Sequence, residues 1–460
     1  MILPQPSAGR KPPGTESFCA HLPETLDLAA ATRPEWADYA AWVVSAVVIR
    51  RYIDREADEM TFVPLAADYI NAHIPAPVRR RLLDDLIRNN ALETDNLYFF
   101  GPAARGGKGK CRCYRIGAAH RAAPIRPRVL THHDLLRKLR TAWVAERAEV
   151  IDPVHLALRG WHDRVEVTPD APRGAHPLLD RMLDGERRFT VCDQGRVHTN
   201  VANLPAQFRR YMRLDGRELD SVDINTSQPL LLALLLKKQA REEEADRPQA
   251  VCDTYCDDGL TDYLAHCLDG TVYDRLAGKT GYNRDEVKPL FLAVAYGHPD
   301  HMDTKVGRAM RSLYPAVFDA IVDLNYRLGH GGLPRLMQTL ESQVMIGRVA
   351  ARLVRENPEM PLLTVHDSIL VPVEFVPVVQ TVIAEEWAAE FGVVPRTKAS
   401  SFTAPQLARP QRKRRRRSKC PGDMSRELAA QPPCSNWRQE GNVAGFLGRR
   451  SPSRATIRRS

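Results

Sequence analysis

The chain has 460 residues, 43% of them apolar, which suffices for two or three domains with buried cores. Its formal charge of +10 is uneven: residues 402–460 hold 15 Lys/Arg against 3 Asp/Glu, whereas the other 401 residues hold 51 against 53, so any nucleic-acid site in the body must be a local patch. Nine cysteines at irregular spacing argue against a disulfide scaffold and for a reducing, cytoplasmic setting, and with no apolar run near ~18 residues and no secretory signal, no membrane segment is expected.

Residues 1–24, rich in Pro and Gly at the start, are expected to be disordered. Residues 25–117 read as one module. Trp36, Tyr39, Val43 and Val47 recur at helical spacing over 34–55, and Pro77 opens a second helix with Val78, Leu82, Leu83, Leu86 and Ile87 on one face. Leu92–Phe99 and Cys111–Ile116 read as strands around a glycine-rich loop with Arg105, Lys108 and Lys110. Helix, helix and a hairpin with a basic tip resembles a winged helix, a nucleic-acid-binding unit; a helical domain with a solvated basic loop is the other reading. Residues 118–187 form a helical connector or thumb-like region, with Thr131 as the expected cap of a helix through Arg147. His132, His133 and Asp134 are neighbours on that helix and point apart, a poor chelate.

From Arg188 the pattern turns to strands: Phe189 and Val191, a turn at Asp193-Gln194-Gly195, then Val197 and Thr199. Arg209, Arg210 and Arg213 interleave with Phe208 and Tyr211, a mixture suited to a nucleic-acid groove and also to an ordinary surface. Leu219–Ile224 is a strand run with Asp223 near its end, and Pro229 suits the first turn of a following helix. Asn283 can cap a helix with Arg284 and Lys288 one turn apart on one face, where like charges repel unless an anion sits between them. Pro289 predicts a kink or a later start for that helix, and Gly297 its end. Leu362–Val365 and Ile369–Val371 are apolar strands joined by His366-Asp367-Ser368, an acidic turn whose desolvation a bound cation would offset. Residues 401–460, with the block Gln411–Lys419, are expected to be a disordered basic tail.

These three segments resemble motifs A, B and C of family A DNA polymerases and of single-subunit phage-type RNA polymerases. Motif B in those families is Arg, three residues, Lys, seven residues, Tyr-Gly, matched by Arg284, Lys288, Tyr296 and Gly297. Motif C carries His-Asp between two strands, matched by His366-Asp367, and motif A begins with an Asp at a strand end, matched by Asp223. Gly195–Thr199 and Asn203-Leu204-Pro205 resemble the segments preceding motif A, and Gln338 stands near a Gln that contacts primer-template. The likeness covers roughly 188–395 and implies an α+β right-hand palm and fingers over 188–400.

The resemblance implies a template-dependent nucleotidyltransferase, a DNA polymerase of a plasmid, phage or other mobile element. It acts on a template, a primer and nucleoside triphosphates. Asp223 and Asp367 would hold two Mg²⁺ ions, and Arg284 and Lys288 would bind the triphosphate, with Lys288 protonating pyrophosphate. Tyr296 would lie by the sugar, and His366, Gln338, Arg209 and Arg213 would contact nucleic acid. Five residues after the motif A Asp, where family A DNA polymerases place a ribose-excluding Glu, stands Gln228, which leaves dNTP and NTP use open. The alternatives are an RNA-synthesising primase or RNA polymerase, and a DNA-binding protein with an inactive palm. Cys252, Cys256, His266 and Cys267 are spaced irregularly, so loose thiols are expected there and not zinc.

Overall fold

The computed structural model describes residues 18–54, 57–97, 111–148, 150–245, 259–296, 302–329 and 331–402. The wing tip, Gly297, Cys252, Cys256 and the basic tail, all singled out above, lie outside them. The fold is mixed α+β, with helices packed around several small antiparallel sheets. No helix among the described residues is long and apolar enough to cross a membrane.

The N-terminal unit begins with the strand Cys19–Pro23, inside the stretch expected to be disordered. Its backbone is ordered by pairing antiparallel with Ile125–Val129, so the unit also extends past residue 117. The helix Ala37–Ile53 buries Tyr39, Val43 and Val47, the residues at helical spacing. Helices Ala67–His73 and Ala76–Arg88 lie between the first and second strands, in chain order, of a three-stranded sheet ordered Val63–Pro64, Cys113–Ile116, Leu92–Thr94. Thr131 does not cap the helix His133–Ala148. Its Oγ1 donates to Asp38, and the Asp38 carboxylate accepts the backbone N–H groups of Thr131 and His132 at 2.5 and 2.7 Å. The first turn is capped by His132, whose Nδ1 accepts the Leu135 N–H at 3.4 Å, while Asp38 from a distant helix fixes the residues leading into it.

The central sheet has four antiparallel strands ordered Leu363–Val365, Ser368–Val371, Asp220–Ile224, Thr397–Ser401. The helix Val376–Phe391 packs against Asp220–Ile224 and buries Val379, Ile383 and Trp387. Helices Val272–Thr280, Arg284–Tyr296 and Lys305–Leu313 pack on one another beside it. Arg284–Tyr296 starts at the expected place. Asn283 and Glu286 cap each other reciprocally, each side chain accepting the other's backbone N–H at 3.0 Å. Pro289 is accommodated inside this helix.

The two parts share a core. Ile49 of the N-terminal helix is buried with Trp161, Leu179, Leu363, Val365, Leu370 and Phe402. The end of the helix Ala37–Ile53 thus joins the apolar packing of the His366–Asp367 hairpin.

Candidate active site

Asp223 is the penultimate residue of its strand, opposite Ser368 on one side and Lys398 on the other. The Ser368 hydroxyl donates to Asp223 Oδ1, which fixes that carboxylate against the hairpin. The chain then turns sharply. Asn225 N–H donates to the Arg396 carbonyl at 2.9 Å, and Thr226 adopts φ +54°. A left-handed β-branched residue costs on the order of 1–3 kcal/mol and persists only where its surroundings hold it. Here the Thr226 hydroxyl donates to the Cys267 carbonyl at 2.7 Å. The turn launches the helix Ser227–Ala245 and puts Gln228 in its first turn, a short step from Asp223.

Val365 and Ser368 close the hairpin, leaving His366 and Asp367 as its two-residue tip, with His366 at φ +56°. The Asp367 carboxyl is pushed up to about 7, chiefly by burial and then by the negative charges of Glu341 and Asp223. The Asp367 carboxyl thus lies in a poorly hydrated turn under the negative charges of Glu341 and Asp223, a donor set that a divalent cation would relieve. Among the described residues no group of three or more His, Cys, Asp or Glu side chains converges as a metal site.

The helix Arg284–Tyr296 meets the strand–helix corner through its last residue. The Tyr296 hydroxyl donates to Gln228 Oε1 at 2.7 Å, and burial pushes its pKa up, so it stays a donor. Arg284 Nη1 is held by the Asp274 carboxylate and by the Gly270 carbonyl at 3.0 Å. Lys288 is exposed, its ammonium 5.8 Å from the centre of the Tyr273 ring, and Arg284 lies 5.7 Å from the same ring. Burial pushes the Tyr273 pKa up, with smaller opposing effects of Arg284 and Asp367.

Three contributors escaped the sequence reading. Glu341 is buried on the helix Gly332–Val344, three residues beyond Gln338. It pairs with Arg196 Nη2 at 2.6 Å and accepts from Gln228 Nε2. Its signal was an acid on the buried face of an amphipathic helix, among Leu333, Leu336, Met337 and Val344. Arg196 stood in a quoted segment without a role. Tyr52 comes from the N-terminal helix and lines a cleft of about 340 Å³ with Asn203, Arg209, His366, Asp367 and Ser368.

The remaining candidates separate. Arg209 is buried in the wall of that cleft and His366 at its floor, half-buried. Gln338 is half-buried on the helix of Glu341. Arg213 lies on the strand Met212–Leu214, which pairs with Val165–Val167, and its guanidinium is engaged by Glu218 at 2.8 Å. Cys267 is buried, and His266 Nδ1 is 3.0 Å from the Tyr314 hydroxyl.

No family model matches this chain, and no curated protein matches it. Among solved structures it is similar to the POL domain of Pol1 from M. smegmatis, in complex with DNA primer-template and dNTP. The two share 14% identity at a TM-score of 0.30, over 82% of this chain and 67% of that one. So slight a likeness carries no functional argument.

Proposed function

We propose that this chain is a template-dependent nucleotidyltransferase with a family A-type palm. The observation that carries the reading is the assembly of the three motifs at one place. Asp223 is clamped to Ser368 beside the Asp367 turn, and Tyr296 is bonded to Gln228 at the corner after Asp223.

Asp223 and Asp367 would hold divalent ions, which when bound supply Lewis-acid activation of a 3′-hydroxyl and charge neutralisation at the leaving pyrophosphate. The chain's own groups do the rest. Asp223 is oriented by Ser368, which engages one of its oxygens and leaves the other for a cation. Arg284 exchanges Asp274 for the triphosphate, a swap between two anions that costs little because the existing pair is partly exposed. Lys288, one turn along the same face, neutralises the β- and γ-phosphates and delivers a proton from Nζ to the leaving pyrophosphate as the 3′-oxygen–α-phosphorus bond forms, the bond from that phosphorus to the bridging oxygen breaks and the 3′-hydroxyl proton passes to solvent. Arg209 and His366 support the nucleotide that bears the 3′-hydroxyl.

The N-terminal unit sets the helix Ala76–Arg88 ahead of the paired strands Leu92–Thr94 and Cys113–Ile116, and we read it as a nucleic-acid-docking module for the same reaction. Gln228 is uncharged, so both dNTPs and NTPs belong in the assay. Primer extension with Mg²⁺ on DNA and RNA templates tests the whole reading. Wild-type protein should incorporate nucleotides, and Asp223→Ala or Asp367→Ala should reduce the rate at least ~10³-fold with template binding kept. Binding with no incorporation by the wild type would leave a DNA-binding protein with an inactive palm.

A further inference from the structure

We propose that Glu341 is a specificity-determining residue, the anchor of a hydrogen-bonded lock that fixes Gln228 and Tyr296 where the sugar of the incoming nucleotide is read. The inference rests on the nucleotidyltransfer reading above and assigns its sugar selection to a residue outside the three motifs.

The lock is a chain of four side chains from four elements. Arg196 follows the turn of the Phe189–Thr199 hairpin, Glu341 is on the helix Gly332–Val344, Gln228 is on the helix Ser227–Ala245, and Tyr296 ends the helix Arg284–Tyr296. Its polarity follows from elementary donor and acceptor chemistry. An ionised carboxylate only accepts, so the Gln228 amide must turn its Nε2 toward Glu341. Gln228 Oε1 then faces Tyr296, whose hydroxyl must donate, at 2.7 Å. The only proton on Tyr296 Oη is thereby used, and toward a ligand that oxygen can only accept. A sugar hydroxyl is a suitable donor for it.

A buried carboxylate is costly unless paired. Glu341 is 3% exposed, and burial raises its pKa while the Arg196 guanidinium at 2.6 Å and the Gln228 amide act to keep it ionised. With both amide ends of Gln228 engaged, neither the amide flip nor a side-chain rotation is free, so bulk at the sugar stays in one position. A purely structural cross-link would make the same bonds, but loosening it would lower stability without altering which sugar is chosen.

The test is single-nucleotide incorporation by full-length protein, with kcat and KM measured separately for dNTP and NTP. Three variants are compared with wild type: Glu341→Gln, Tyr296→Phe and the double. Tyr296→Phe deletes only a hydroxyl and covers the case in which Glu341→Gln does not fold. The preferred-over-rejected ratio of kcat/KM should fall about tenfold in either single variant, mainly through a lower KM for the rejected nucleotide. The double variant should fall no further, because both break the same chain. An unchanged ratio in folded single variants, or a double variant whose losses multiply, overturns the role of Glu341 alone. Failure of the wild type to incorporate any nucleotide overturns the polymerase reading and this role with it.

Discussion

Single residues at this site are held by partners that a substrate must displace or exploit. Arg284 is the plainest case. It sits one helical turn from Lys288, an arrangement in which two cations repel, and its guanidinium is turned onto Asp274. Exposed ion pairs of this kind contribute about 0.2–1 kcal/mol. Asp274→Asn should therefore release Arg284 for the triphosphate and lower the KM for nucleotide up to about fivefold, with kcat little altered. Arg284→Ala should raise KM more than tenfold. Steady-state incorporation kinetics decide this, and a raised KM in Asp274→Asn would mean that Asp274 orients Arg284 for the substrate. Asp223 and Asp367 were legible as candidates because each ends an apolar run, a setting that makes a carboxylate conspicuous. Glu341 was not, because a single acid in a helix has no local signature of a partner that stands 145 residues away. The left-handed Thr226 was equally hidden, since a β-branched residue is the last type that local preference would put there.

Among elements, those specified by nearby residues were readable and those specified by distant ones were not. The hairpin at Val365–Ser368 follows from two apolar runs around a short acidic turn, and the helix from Arg284 follows from a reciprocal cap three residues apart. The strand Cys19–Pro23 has weak preference of its own and exists because Ile125–Val129 pairs with it. Thr131 is not the cap of the next helix because its hydroxyl and N–H are drawn to Asp38, 93 residues away, which leaves His132 to cap it. The junction of the N-terminal helix with the hairpin also depends on distant residues, through Ile49 in the core of Leu363 and Val365. It makes the two parts one cooperative unit. Ile49→Ala should cost about 2–4 kcal/mol and lower a single calorimetric transition as a whole. Separate transitions, with only one of them sensitive to Ile49, would show that the parts fold independently.

For the whole molecule, two buried histidines at this junction tie its stability to pH. His21 lies on the strand Cys19–Pro23, fully buried, with no hydrogen-bond partner for either ring nitrogen among the described residues. Burial lowers its pKa from 6.5 to about 4, the Arg181 and Arg173 charges act in the same direction, and Asp184 opposes them. His176 is lowered to about 4 by burial; its Nδ1 accepts the Leu178 N–H at 3.2 Å, and its ring meets Tyr52 edge-on at 4.9 Å. Both are neutral when folded and bind a proton more readily when unfolded. Their contribution is full above pH 6.5 and is lost as pH falls toward about 4, amounting to roughly 2 kcal/mol each at pH 5. Protonated His176 would also lose its capping acceptor. Asp180 on the same helix and Asp367, whose carboxyl is pushed up to about 7, are both raised by burial and work in the opposite sense, so the histidines are best isolated by comparing variants. Asn at position 176 keeps a capping oxygen and does not titrate. Denaturant unfolding at pH 7 and pH 5 should show His176→Asn losing about 2 kcal/mol less than wild type, and His21→Leu with His176→Asn about 4 kcal/mol less. Parallel losses in all three proteins would place the acid sensitivity elsewhere. Because Tyr52 bridges His176 and the cleft of Asp367, the same acid window should loosen that wall of the cleft before the central sheet, which faster amide exchange in the Ala37–Ile53 helix than in the Ser368–Val371 strand at pH 5, corrected for intrinsic rates, would register.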